Sequence, residues 1–133
     1  MRKLFFDDVR KAPDDTWMVA RGIPDAKELM TAFAFDIMSL DHDIGFQMIC
    51  EKCYEETDWD VDDPITHMLR IGCNHTENGT TLAKWMIENL KAWPSLIFIH
   101  SANPYGVRRM QDILSVKTPT IIGTFDPRIL RDA

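Results

Sequence analysis

The segment FDIMSLDHD, residues 35–43, is the most informative part of the sequence, because it changes abruptly from apolar to ionisable side chains. Residues 35–40 are mostly apolar, which is typical of an inner strand of a parallel sheet. Asp41, His42 and Asp43 follow at once, as the start of the loop that leaves this strand. The stretch therefore predicts a buried strand that ends in a functional loop.

Four other apolar runs extend the sheet to about five strands: residues 3–6, 17–20, 95–99 and 120–125. Apolar residues at helical spacing predict helices after Pro24, over residues 80–93 and from Val107 to about Leu114. Strands that alternate with helices predict one doubly wound α/β domain, residues 1–133, with a mostly parallel sheet in flavodoxin-like strand order. Residues 45–79 are interpreted as an insertion, helical over residues 46–54 and acidic over residues 55–64.

The composition excludes several classes of protein. Hydrophobic residues make up 45% of the chain and charged residues 27%, as in ordinary globular domains. No apolar run approaches the roughly 20 residues that cross a bilayer, and the start MRKLFFDDVR lacks a signal-peptide core, so we expect a cytoplasmic protein without membrane contact. The net charge of −6 argues against bulk binding of nucleic acid by electrostatics.

Three strand ends carry residues suited to chemistry, namely Asp7 with Asp8, Asp41 through Asp43, and His100 with Ser101. The ends of parallel strands lie at one edge of a sheet, and the flavodoxin-like order makes the first and third strands neighbours. Carboxylates that lie so close together repel one another and need a cation to offset their charge. Oxygen ligands favour Mg²⁺ or Mn²⁺. We therefore predict that Asp7, Asp8 and Asp41 bind a divalent metal ion, which also takes phosphate oxygens as ligands.

Two histidines follow neighbouring strands at this edge. A lone histidine is more often structural, but an imidazole exchanges protons near neutral pH, and His42 and His100 flank the same region. We predict that both are catalytic acid–base groups, and that Asp43 contributes to catalysis by supporting the metal-binding carboxylates. The predicted contacts to the phosphate of the substrate come from Arg10, Ser101 and Asn103.

Three runs, FFDDVRKAP (residues 5–13), SLDHDIG (39–45) and HSANPYG (100–106), resemble the cyclic-phosphate-processing receiver domain family of bacteria and phages. The matching positions are Asp7, Asp8, Arg10, Pro13, Trp17, Ser39 to Gly45, His100, Ser101, Asn103, Pro104, Gly106 and Met110. The resemblance spans residues 3 to about 114. It implies a receiver-like fold and a phosphoesterase that opens a cyclic phosphate, either a 2′,3′-cyclic RNA end in RNA repair or a cyclic nucleotide. Val107 departs from the pattern, which often has Arg there, and so does the insertion.

Two other functions stay open. A signalling receiver would use Asp41 as phospho-acceptor and Ser101 as its hydroxyl residue, but it also needs a lysine after the fifth strand. TIIGTFDP has none, and Lys117 precedes that strand. A non-catalytic module, such as a phage-type effector that sequesters a nucleotide or binds a host protein, is the nearer alternative.

Cysteine spacing allows a structural zinc site. Cys50, Cys53, Cys73 and His75 have the residue types of zinc ligands, with His67 in reserve. Cysteine is also a common core residue, so packing is the favoured interpretation of these side chains.

Overall fold

The computed structural model describes residues 1–43 and 77–128. Within them the strands are β1 (Lys3–Phe6), β2 (Trp17–Ala20), β3 (Ile37–Leu40), β4 (Leu96–Ile99) and β5 (Thr120–Ile122), and the helices are α1 (Ile23–Ala32), α2 (Gly79–Asn89) and α3 (Pro104–Leu114). The strands form one parallel sheet in the order β2-β1-β3-β4-β5. This is the flavodoxin-like order, so the predicted α/β fold is confirmed.

The three inner strands pair without stagger. In the last paired row Phe6 lies beside Leu40, and Leu40 lies beside Ile99. The ladder continues one step further, because Asp41 N donates to Phe6 O at 2.9 Å and His100 N donates to Leu40 O at 3.0 Å. The residues that follow β1, β3 and β4 therefore leave the sheet at the same level.

Alternating side chains divide the core between the two sheet faces. One face carries the larger cluster, which the helices cover with residues such as Leu82, Met86, Met110 and Leu114. The other face carries Phe5, Trp17, Ile37 and Phe98, packed against residues that include Ala12 and Phe125. Side chains in a strand alternate between the two faces, so residues two apart point to the same face. The second face therefore continues beyond Phe5, Ser39 and Phe98 with Asp7, Asp41 and His100, respectively.

Helix α3 begins three residues before its predicted start. Asn103 is its N-cap: Gly106 N donates to Asn103 Oδ1 at 3.0 Å, and Pro104 occupies the first turn. An asparagine cap and a proline in the first turn both favour a helix start. The NPYG run, residues 103–106, is therefore the cap and first turn of the helix.

Two element ends also differ from the prediction. Helix α2 ends at Asn89, before the predicted end at residue 93, and β5 ends at Ile122 instead of residue 125. Gly123 follows β5 with φ of 133°, a conformation that side-chain-bearing residues rarely adopt.

The predicted helix over residues 46–54, the acidic loop over residues 55–64 and the cysteine-based zinc site lie outside the described residues. Among the helices that are described, none is long and apolar enough to cross a membrane.

Candidate functional site

Three buried side chains meet where the inner strands end. One ligand atom each from Asp7, Asp41 and His100 lies within 4.8 Å of the others. These side chains are 0%, 7% and 4% exposed, respectively. The shared register of β1, β3 and β4 explains the meeting, since each residue is the first after its strand. We call these three residues the buried trio.

Both ring nitrogens of His100 have partners. Nε2 lies 3.0 Å from Asp7 Oδ2, and Nδ1 lies 2.6 Å from Ser39 Oγ. A carboxylate accepts, so Nε2 carries the proton and Nδ1 accepts from the Ser39 hydroxyl. The ring also stacks on Phe5, with centroids 4.7 Å apart and planes 2° from parallel. Burial lowers the pKa of His100 despite the opposing influence of Asp7, so the ring is neutral near pH 7.

Asp7 is held as a carboxylate. Burial alone would raise its pKa, but the backbone N–H groups of Arg10 and Val9 both donate to Oδ1 at 2.9 Å, and His100 donates to Oδ2. Together these hydrogen bonds lower the pKa of Asp7 below its ordinary value. The DDVR sequence makes this possible, because an aspartate readily accepts bonds from the backbone of the turn that follows it.

Asp41 behaves in the opposite way. Burial and then the charge of Asp7 raise its pKa from 3.8 to about 6, although the His42 backbone N–H donates to its Oδ1 at 2.8 Å. The Ser101 side chain also contacts this carboxyl group and moderates the shift. Two carboxyl groups whose surroundings drive their pKa values apart are common in catalytic sites.

Two arginines fasten the loop after β1 to this site. Arg10 Nη1 donates to His100 O at 2.8 Å, and its Nε lies 4.0 Å from Asp7 Oδ2. Arg21 Nη1 donates to Asp7 O at 3.0 Å and also to Arg10 O. The Arg10 side chain is half exposed, so a cation lies beside the buried trio and within reach of solvent.

His42 lies apart from the buried trio. Its ring is fully buried, with Nδ1 2.7 Å from Asp43 Oδ1 and Nε2 3.1 Å from Thr80 Oγ1. Asn103 Nδ2 donates to the same Asp43 oxygen at 2.9 Å, and a Cβ atom on Gly106 would overlap the His42 ring. The ring thus joins the end of β3 to the first turns of α2 and α3. This placement favours a positioning role over the acid–base role that the sequence suggested.

The other predicted site residues surround the buried trio. Ser101 Oγ accepts from Asn103 N at 3.2 Å, while the Asn103 side chain caps α3 and binds Asp43. Asp8 follows Asp7 on the loop and is partly exposed. Among the described residues, Asp8 is not one of those whose ligand atoms converge. His100 is there instead.

Sequence reasoning missed Ser39. It is a buried polar residue within an apolar strand, and it bonds the ring of His100. The available signal was the period of two in β-strands, which places Ser39 on the same face as Asp41. Ser39 and His100 also line a cavity of about 260 Å³ on the second sheet face.

Comparison with known families identifies the chain. The family model described as the cyclic-phosphate processing receiver domain matches residues 2–116. No curated protein and no solved structure gives a significant match. The match covers β1 to β4, all three described helices and every member of the buried trio.

Proposed function

The chain belongs to the cyclic-phosphate processing receiver domain family, and from this premise we propose that it is a divalent-metal-dependent phosphoesterase that opens a cyclic phosphate. Water adds to phosphorus, one of the two ring P–O bonds breaks, and the released oxygen takes a proton. The product is a linear phosphate monoester. The convergence of Asp7, Asp41 and His100 is the observation that carries this proposal.

The donor set fits a divalent cation. Two buried carboxyl groups lie together, and the charge of Asp7 helps to raise the pKa of Asp41, so the site has an excess of negative charge that a cation would relieve. Carboxylate oxygens are the ligands that Mg²⁺ and Mn²⁺ prefer. Asp7 and Asp41 would hold the ion. When bound, it would neutralise charge on the phosphate oxygens. Asp8, which the sequence included among the ligands, has no assigned role.

His100 is the proposed acid–base group. Asp7 fixes the proton of the ring on Nε2, which leaves Nδ1 as the acceptor. Nδ1 faces Ser39 Oγ, and both residues line the cavity, so Nδ1 is the nitrogen that exchanges a proton on that side. A neutral ring is the form needed to accept a proton, and the lowered pKa of His100 favours it.

Arg10 would stabilise the charge that develops on the phosphate. Its guanidinium is partly exposed beside Asp7, so a phosphate bound there would lie within its reach. Ser101, which contacts Asp41, is the proposed hydroxyl contact to a phosphate oxygen. Asn103 and Asp43 hold His42 and the start of α3, and they would keep the site in shape.

Phosphorus NMR tests this proposal. Adenosine 2′,3′-cyclic and 3′,5′-cyclic monophosphates are incubated with the protein, with Mn²⁺ or with a chelator, and the linear product is followed over time. We expect turnover with Mn²⁺, and loss of turnover in Asp41→Asn and in His100→Ala. Full activity in either variant would refute the assigned roles. Stoichiometric recovery of intact cyclic nucleotide from the protein would instead identify a sequestering module.

A further inference from the structure

The cavity on the second sheet face has three chemically different parts. Its lining includes the polar side chains of Ser39 and His100, the rings of Phe5 and Phe125, and the exposed cation of Arg10. The cavity thus shares His100 with the buried trio, and it shares the arginine that lies 4.0 Å from Asp7. A group bound in this cavity would sit beside any phosphate processed at the buried trio.

The charge of the cavity selects the kind of ligand. Lys11 joins Arg10 among the lining residues, both are exposed, and none of the lining residues is acidic. The chain as a whole has a net charge of −6, so a cationic opening without carboxylates is unlike its general surface. Cations combined with aromatic walls fit an anion that carries a flat, apolar group, because bases stack on aromatic side chains while basic residues bind phosphate.

The volume of the cavity limits the size of the ligand. Sites that enclose drug-sized molecules have volumes of roughly 300–1,000 Å³. The present cavity, at about 260 Å³, falls just below that range. It has room for a single base or nucleoside, so any further nucleotides of a longer ligand would lie outside it.

The Phe125 wall depends on the turn after β5. Gly123 N donates to Ile99 O at 2.9 Å, and the positive φ of Gly123 redirects the chain there. Phe125 then packs edge-on against Trp17, with centroids 4.9 Å apart, and against Phe98 at 5.5 Å. Two aromatic contacts hold this ring in place. The wall is therefore an ordered part of the fold.

We propose that this cavity is the nucleoside subsite of the enzyme, and that the substrate is a nucleoside cyclic monophosphate, either free or as the last nucleotide of an RNA. Phe125 is its specificity-determining residue and Lys11 its additional phosphate contact. This inference rests on the proposed function for the identity of the phosphate.

Equilibrium binding tests the subsite separately from catalysis. Titration calorimetry measures the affinity of the chelator-treated full chain for adenosine 2′,3′-cyclic monophosphate and for glycerol 1,2-cyclic phosphate, which has no base. We expect at least tenfold tighter binding of the adenosine compound, on the order of one base stacked on an aromatic ring. A 2′,3′-cyclic-ended RNA trimer and cyclic di-adenosine monophosphate are measured in parallel. Binding of the trimer supports an RNA end, whereas tighter binding of the cyclic dinucleotide than of the adenosine compound would overturn a subsite for a single nucleoside.

Matched variants locate the subsite. Phe125→Leu keeps an apolar residue and removes the ring, so the preference for the base-bearing ligand should fall by about tenfold while glycerol 1,2-cyclic phosphate binds as before. Phe33→Leu is the control, because Phe33 is equally aromatic and lies near the end of α1, away from the cavity. Lys11→Ala, at an exposed position, should weaken the binding of both ligands by roughly twofold to fivefold.

The outcomes separate the two proposals. If binding depends on the base, Phe125→Leu abolishes that dependence and the wild type shows no turnover, the subsite is supported and the phosphoesterase is refuted. If the wild type turns over both ligands with equal efficiency, and Phe125→Leu does so at the same rates, the subsite is refuted and the phosphoesterase is supported. Equal binding of the two ligands would also overturn the subsite.

Discussion

Replacing Asp41 with Asn is expected to stabilise the protein at neutral pH while removing its activity. Burial and the charge of Asp7 both disfavour the ionised form of Asp41, and its pKa therefore rises from 3.8 to about 6. A tenfold change in an equilibrium constant is about 1.4 kcal/mol, so the shift corresponds to about 3 kcal/mol. Asn carries no charge and keeps an oxygen for the His42 backbone N–H, which now donates to Asp41 at 2.8 Å.

The pH dependence gives this prediction its sign. The folded-state pKa of Asp41 is higher than the unfolded value, so ionisation destabilises the fold fully above about pH 6 and not at all below 3.8. The wild type should therefore gain about 3 kcal/mol from this group as the pH falls through that window. The Asn variant should be more stable by about 3 kcal/mol at pH 8, a rise of roughly 10 °C in Tm, and equal in stability at about pH 3.5.

Denaturant unfolding in the presence of a chelator measures both effects. Asp112→Asn, at an exposed position on α3, is the control for loss of a carboxylate and should change stability by less than about 0.5 kcal/mol at either pH. An Asn variant of Asp41 that is no more stable than the wild type at pH 8 would refute the reasoning. The same conclusion would follow if the difference between the two proteins persisted unchanged in acid.

Three further predictions concern the surroundings of the site. Gly106→Ala should lower the free energy of unfolding by about 3 kcal/mol, because its Cβ would overlap the buried His42 ring. Gly22→Ala, whose Cβ would lie 3.8 Å from its nearest neighbour, should lower it by less than about 1 kcal/mol. Equal losses of stability in urea unfolding would contradict this packing. Mn²⁺ at about 100 times its Kd should stabilise the wild type by about 2.7 kcal/mol, and a thermal shift of equal size in Asp41→Asn would rule out this site for the ion. Ser39→Ala removes the hydroxyl that donates to His100 Nδ1, so it should lower the free energy of unfolding by about 1–2 kcal/mol. It should also lower kcat more than it changes KM. An unchanged kcat would show that the hydroxyl has no part in positioning the ring.

The sequence predicted the strands well because each is a short apolar run with clear ends. The predicted bounds of β1 and β2 coincide with the observed strands. The start of α3 was missed because it depends on a side chain, that of Asn103, which bonds the backbone of the helix it precedes. Propensity alone reads Asn-Pro-x-Gly as a turn, and the cap that converts it into a helix start is a local hydrogen bond.

The site was predictable in part for the same reason. Parallel strands that end together bring Asp7, Asp41 and His100 to one edge, and their convergence follows from topology. The sequence suggested the same location for His42, but successive residues point to opposite sides as a strand ends, which separates His42 from Asp41. The hydrogen bonds that join His100 to Ser39 and Asp7 depend on strand register, which apolar periodicity does not specify.

Hydrolysis in ¹⁸O-labelled water shows whether the protein opens a cyclic phosphate with water. Adenosine 2′,3′-cyclic monophosphate is supplied in large molar excess with Mn²⁺, and the products are weighed by mass spectrometry. We expect many turnovers, with one ¹⁸O atom in each linear monophosphate, and no such product from His100→Ala. Recovery of unlabelled cyclic nucleotide alone, or a labelled product formed equally well by that variant, would contradict it.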